Sequence, residues 1–164
     1  MKEHGLCDKG IVPQFYGSLE NIDVQHFQPH LDAFLNDKYP PSAIFLEYIP
    51  HMQGTLPQHY TENRMQNFIS GIREIHKALV LHADMSPRNM MVVENDPERA
   101  VWLDFDRAQT YHADSLSERQ KFFIEMEALE VSQFAEELVS SSCGYFMGIP
   151  SYWMLIFIAV GTRL

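Results

Sequence analysis

The stretch "HADMSPRNMMVVENDPERAVWLDFD" (residues 82–106) decides how the rest of the chain is read. It holds three side chains able to carry protons or hard metal ions, Asp84, Asn89 and Asp104, in and around two short apolar runs. Those runs, "MMVVE" (90–94) and "AVWLDF" (100–105), are rich in β-branched and aromatic residues and flank the turn-forming "NDPER". They predict two strands folded into a hairpin. Such a hairpin returns Asp104 to Asn89, so that one small site holds all three residues. The residue types suit phosphoryl transfer, which needs a carboxylate to orient or deprotonate a hydroxyl and oxygen ligands to hold Mg²⁺ against phosphates. A plain turn is the alternative for Asp84, Ser86, Pro87 and Asn89, all of them loop formers. Asp104 weighs against it, because a carboxylate inside an apolar strand is costly unless paired or functional.

Working outward, residues 61–79 form the clearest helix. Met65, Phe68, Ile69, Ile72, Ile75, His76 and Leu79 recur at steps of three and four, with Thr61 placed as the cap. A second helix is expected at about 117–139, opened by a Ser117/Gln120 capping box and carrying Phe122, Phe123, Met126, Leu129, Phe134 and Leu138 as its apolar stripe. Towards the N-terminus, "IVPQFYGSL" (11–19) and "PPSAIFLEYI" (40–49) read as strands, the second with a continuous apolar run, Ala43 to Leu46, of the kind covered on both faces. Residues 20–39 read as loop with a short helical turn in "LDAFLND".

The 164 residues, 46% hydrophobic and 21% charged, describe a chain that collapses into one modest domain. A net charge of −10 with only 12 Lys and Arg, scattered, excludes a nucleic-acid surface. Cys7 and Cys143 have no metal-type spacing and fit free thiols in a reducing compartment. The N-terminus has no secretory apolar core, so the expected location is cytoplasmic, with the nucleus as an alternative. Residues 143–160 carry no charge, but Pro150 interrupts them; they read as an apolar C-terminal tail (143–164) rather than a membrane span. The histidines at 51, 59, 76 and 112 lack ligand spacing, and a zinc site at His82 and Asp84 lacks further local ligands.

His82, Asp84 and Asn89 stand in an H-x-D-x-x-x-x-N pattern, followed by Asp104 in "LDFD", after a long helix and with a hairpin between the motifs. Here the sequence resembles the protein-kinase-like superfamily, with its H-R-D-x-x-x-x-N loop and D-F-G triplet. It is also similar to fungal kinase-like proteins and to aminoglycoside and choline phosphotransferases. The resemblance implies an α+β protein-kinase-like fold, mainly the helical C-terminal lobe with a remnant of the N-terminal lobe sheet. A partial domain over residues 1–142 would divide into 11–49 (remnant and hinge) and 50–142 (catalytic lobe). It implies ATP and Mg²⁺ as cofactors and a hydroxyl compound as acceptor, protein or small molecule. Asp84 becomes the catalytic base, Asn89 and Asp104 the metal ligands, and His82 a scaffold residue. Backbone groups near Glu47 and Ile49 would meet the adenine edge.

Departures refine these expectations. Ala83 replaces the usual Arg, so control through a phosphorylated activation loop is not expected. Ser86 stands where many kinases carry a phosphate-contacting Lys, and Arg88 supplies the positive charge instead. Asp106 replaces the triplet Gly, as in some small-molecule kinases. The Gly-rich loop, strand Lys and helix Glu of a full kinase have no counterpart in "MKEHGLCDKG". The expectation is therefore a truncated chain, weak or inactive as an enzyme, with a catalytically dead pseudokinase acting as a binding module as the alternative.

Overall fold

The computed structural model describes the chain through residue 142. The apolar tail and Cys143 lie outside the described residues. What is described is a mixed α/β arrangement of three small sheets and two long helices. Strand β1 (Phe15–Leu19) pairs antiparallel with β2 (Ala43–Leu46). A three-stranded antiparallel sheet follows the order β3 (Met52–Gly54), β5 (Met90–Val93), β6 (Asp96–Trp102). The third pairing joins β4 (Val80–Leu81) to β7 (Gln109–Thr110).

Helix α1 (Glu62–Lys77) starts where Thr61 accepts the backbone N–H of Arg64 at 3.1 Å, as the sequence predicts. Its buried stripe of Met65, Phe68, Ile69, Ile72 and Ile75 packs on the three-stranded sheet. Each such side chain contributes about 1.5–3 kcal/mol by leaving water. The centre of the contact is Trp102, fully buried, set edge-on to Phe68 at 5.7 Å and donating its indole N–H to the Phe68 carbonyl at 3.3 Å. Gly71 lies opposite the indole; a Cβ there would stand 3.0 Å from Trp102 Nε1.

The hairpin expected from "NDPER" forms, but β6 begins already at Asp96, so the turn is tighter than the sequence suggests. Helix α2 (Glu118–Ser142) begins with the predicted capping box: the Ser117 N–H donates to Gln120 Oε1 at 2.8 Å, and the Gln120 N–H to Ser117 Oγ at 3.3 Å. One apolar expectation fails and another holds only in part. Ile44 in β2 is 67% exposed, and Phe45 and Leu46 are exposed as well, because no described helix packs extensively on the β1–β2 pair. In α2 the predicted stripe holds at its C-terminal end, where Leu138 is buried and Phe134 packs against the core beside Val131 and Ala135, whereas Phe122, Phe123 and Leu129 face outward. An apolar run records that a surface tends to be covered; it does not record which described element covers it.

Candidate active site

One short buried strand, β4, delivers the loop that begins at His82. After α1 the chain reverses at Leu79, in left-handed conformation (φ 58°), and enters β4, both of whose residues are buried. His82 follows, fully buried between the rings of Trp102 and Phe105, with centroids at 5.3 and 4.5 Å. Its Nδ1 accepts the N–H of Asp84 at 3.3 Å, and its Nε2 meets the carbonyl of Leu103 at 2.8 Å. One tautomer, with the proton on Nε2, satisfies both bonds. The imidazole thereby ties the loop to the far end of β6.

Asp84 is buried and fully engaged. Oδ2 accepts from the Arg88 guanidinium at 2.8 Å, and Oδ1 from the N–H of Ser86 at 3.3 Å. The backbone carbonyl of Asp84 accepts from Asn89 Nδ2 at 3.1 Å, and the Asn89 N–H closes the turn on the Ser86 carbonyl at 2.8 Å. With Nδ2 committed, Oδ1 is the atom of Asn89 suited to a cation. The loop rests on the residues after β3: Thr55 donates its N–H to Pro87 O at 3.1 Å and its hydroxyl to Met90 O at 2.6 Å. Gly54 makes that crossing possible, since a Cβ would come 3.3 Å from the Pro87 carbonyl oxygen. Ser86 Oγ is buried without a hydrogen-bond partner among the described residues.

Asp104 reaches this loop through its neighbour, because Leu103 donates its N–H to the Asn89 carbonyl at 3.0 Å. The expectation that Asp104 is a strand residue, buried among apolar neighbours, is corrected. Strand β6 ends at Trp102, Asp104 is left-handed (φ 61°), and its side chain is exposed. The reversed φ swings the carboxylate out of the sheet instead of into the core. Such a conformation is unfavourable for most residues and is tolerated by Asp. Asp106 is likewise exposed. Among the described residues no three His, Cys, Asp or Glu side chains cluster as a metal site. An amide oxygen and a carboxylate, Asn89 and Asp104, match the hard, sparse donor set that Mg²⁺ accepts alongside water and phosphate.

The sequence reading missed Glu127. This acid from the middle of α2 is buried, and its Oε1 accepts the N–H of Ala83 at 2.6 Å while Oε2 accepts the N–H of His82 at 3.0 Å. His76 Nε2, at the end of α1, meets the same Oε2 at 2.6 Å. Glu127 thus holds the two residues before Asp84 and stabilises Ala83 in a left-handed conformation (φ 62°). A signal was present: Glu127 lies four residues before Val131 and eight before Ala135, an acid on the buried face of a helix. Burial and the Glu127 charge together push Glu130 above the usual carboxylate range and Tyr111 above the usual phenol range.

On the other face of the sheet a second apolar cluster gathers Ile49, Val93 and Val101, with Met52, Met91 and Leu103 partly exposed beside them. Strand alternation explains it, since Met90, Val92, Ala100 and Trp102 point to the α1 side and the residues between them to this one. Glu47 lies just after β2. Its N–H donates to Gln14 O at 2.8 Å, and its carboxylate accepts from Arg99 Nη2 at 2.9 and 3.0 Å and from the Gln14 N–H at 3.2 Å. Burial alone would raise the Glu47 pKa; the bonds from Arg99 and Gln14 outweigh it and hold the carboxyl below its usual range. Cys7 is a free, buried thiol. Among the described residues no helix is long and apolar enough to cross a membrane.

Two comparisons bear on this arrangement. The chain is 26% identical over 118 residues, 68% of its own length, to human myosin light chain kinase family member 4. It spans 30% of the length of that protein. Residues 46–140, which contain the Asp84 loop, Asn89, Asp104 and Glu127, match the lipopolysaccharide kinase (Kdo/WaaP) family. With more than half of its residues in that match, the chain belongs to the lipopolysaccharide kinase (Kdo/WaaP) family, a protein-kinase-like family.

Proposed function

We propose that this chain carries the catalytic lobe of an ATP-dependent phosphotransferase, with Asp84 as the base for a hydroxyl acceptor and Asn89 and Asp104 as ligands of Mg²⁺. The observation that carries the reading is the pair of bonds at Leu103, whose N–H reaches Asn89 and whose carbonyl receives His82. They bring a buried carboxylate, an amide oxygen and an exposed carboxylate into one neighbourhood. Magnesium there would shield the charge of the nucleotide phosphates. Asn89 Oδ1 and Asp104 supply oxygen donors; Asp84 orients the acceptor hydroxyl and takes its proton; Arg88, bonded to Asp84, supplies positive charge beside it. The apolar cluster around Ile49, Met91 and Leu103 suits one face of an adenine, with the Glu47 carbonyl and backbone groups near Ile49 at its edge. The fold on this reading is the helical lobe of a protein-kinase-like domain plus part of its smaller lobe. The family's description points to a saccharide hydroxyl as acceptor class, and the human relative's to a protein.

A second reading is favoured by one contact. Arg88 occupies an oxygen of Asp84, and Ser86 the other, so the base has no unshared oxygen in this conformation. A nucleotide-binding module with little turnover fits that geometry.

Calorimetric titration of ATP into the purified chain, with and without Mg²⁺ and with Asp104→Asn, tests the shared part. Binding that requires both the metal and Asp104 supports both readings; a folded chain that releases no heat in any sample rejects both. Transfer of labelled phosphate to saccharide or protein acceptors, lost in Asp84→Asn, separates the enzyme from the binding module.

A further inference from the structure

The segment that leaves β2 is held at two points, by charge at Glu47 and by packing at Ile49. β1 and β2 pack chiefly on each other; in the segment that follows, Ile49 is buried against Val93 and Val101, and the direction of the chain at Glu47 is set by the bonds gathered there from Gln14 and Arg99. Arg99 provides two of them from a single nitrogen. It projects from β6, the same strand whose continuation carries Leu103 and Asp104. Arg99 and Glu47 are 52 residues apart in sequence and both are only partly exposed. One strand therefore bonds the adenine side of the candidate cleft and carries its metal side.

We propose that Arg99 is a positioning residue for the nucleotide: by clamping the Glu47 carboxylate it fixes the backbone of residues 47–49 at the span from Asp104 that adenine and a metal-bound phosphate chain jointly require. The inference rests on the phosphotransferase reading and adds to it a side chain that neither the loop motif nor the metal-binding residues include. The competing account is a surface ion pair that only steadies the fold. The two differ in ligand dependence. A clamp on the adenine side affects ligands that have an adenine, whereas a general stabilising pair affects every ligand alike.

The test uses the full chain and two probes in the presence of Mg²⁺, ATP and inorganic tripolyphosphate, which offers a similar phosphate chain without the base. Arg99→Met is expected to weaken ATP roughly tenfold and to leave tripolyphosphate within about twofold of the original affinity, with the thermal midpoint unchanged. Arg99→Lys, whose ammonium can bond both oxygens as Nη2 does, is expected to retain more ATP affinity than Arg99→Met. Glu47→Gln provides the reciprocal variant should Arg99→Met fold poorly, and the double variant is expected to lose no more than either single one, since both remove one interaction. Equal weakening of both probes, or of neither, overturns the proposal while the phosphotransferase reading stands. A wild-type chain that binds neither probe overturns both.

Discussion

The carboxylate of Glu127 in α2 receives the backbone N–H of Ala83 at 2.6 Å, one residue before the buried Asp84. With His76 and the His82 N–H on its other oxygen, it is the centre of a buried polar network joining the two helices to the loop. Removing one partner of such a network leaves the others buried and unbonded. Glu127→Ala is expected to destabilise the chain by about 3–5 kcal/mol, measured by urea denaturation. Glu127→Gln, which keeps one acceptor oxygen, is expected to cost less. A loss below about 1 kcal/mol for the alanine variant would show that the network is not holding the loop.

Gly71→Ala sets two effects against each other. Alanine is favoured in a helix interior by about 1 kcal/mol. The new methyl, however, would stand 3.0 Å from Trp102 Nε1 and 3.2 Å from its Cδ1, and Trp102 is fully buried with its N–H bonded to Phe68. Because the indole has nowhere to move, packing wins: a net loss of about 1–2 kcal/mol is expected from the denaturation midpoint. A stabilised variant would mean that α1 can shift along the sheet.

Ser86→Ala should separate stability from function. The hydroxyl it removes is buried and has no hydrogen-bond partner among the described residues, so the native state loses no bond. Stability is expected to be unchanged or higher, within about 1 kcal/mol. A clear destabilisation in thermal unfolding would instead reveal an ordered water bonded to Ser86 Oγ.

Asp104→Asn follows from the backbone. Asparagine tolerates the left-handed conformation at φ 61° and is exposed there, so folding stability is expected to stay within about 0.5 kcal/mol of wild type. Magnesium-dependent ATP affinity is expected to fall by roughly tenfold or more, because a charged oxygen ligand is replaced by a neutral one. Calorimetry on the folded variant reads both.

Glu74 gives a pH dependence. Hydrogen bonds from Lys77 and then Lys9 lower its pKa from 4.5 to about 2. A carboxyl lowered in the folded state contributes its stabilisation fully above the unfolded value and loses it as pH falls through the folded one. The contribution should therefore be intact near neutrality and fade between about pH 5 and pH 2. Glu74→Gln is expected to have a flatter stability profile over that window, with the difference shrinking at high salt because the lysines are exposed. Parallel profiles for the two proteins would show that Lys9 and Lys77 do not engage Glu74 in solution.

The sequence by itself determined α1, its Thr61 cap, the 90–102 hairpin, the Ser117/Gln120 box and the order of Asp84, Asn89 and Asp104, because each depends on periodicity, capping or turn chemistry within a few residues. The tertiary structure decided what depends on contacts between distant segments. It placed Glu127 beneath Ala83 across 44 residues, joined Arg99 to Glu47 across 52, and left Ile44 to Leu46 uncovered. It also turned Asp104 outward, through one reversed φ that the surrounding apolar letters disguise as a strand interior. Local propensity can name a residue's element, but burial and partner choice are set by which surfaces the whole chain brings together, and no short window contains that information.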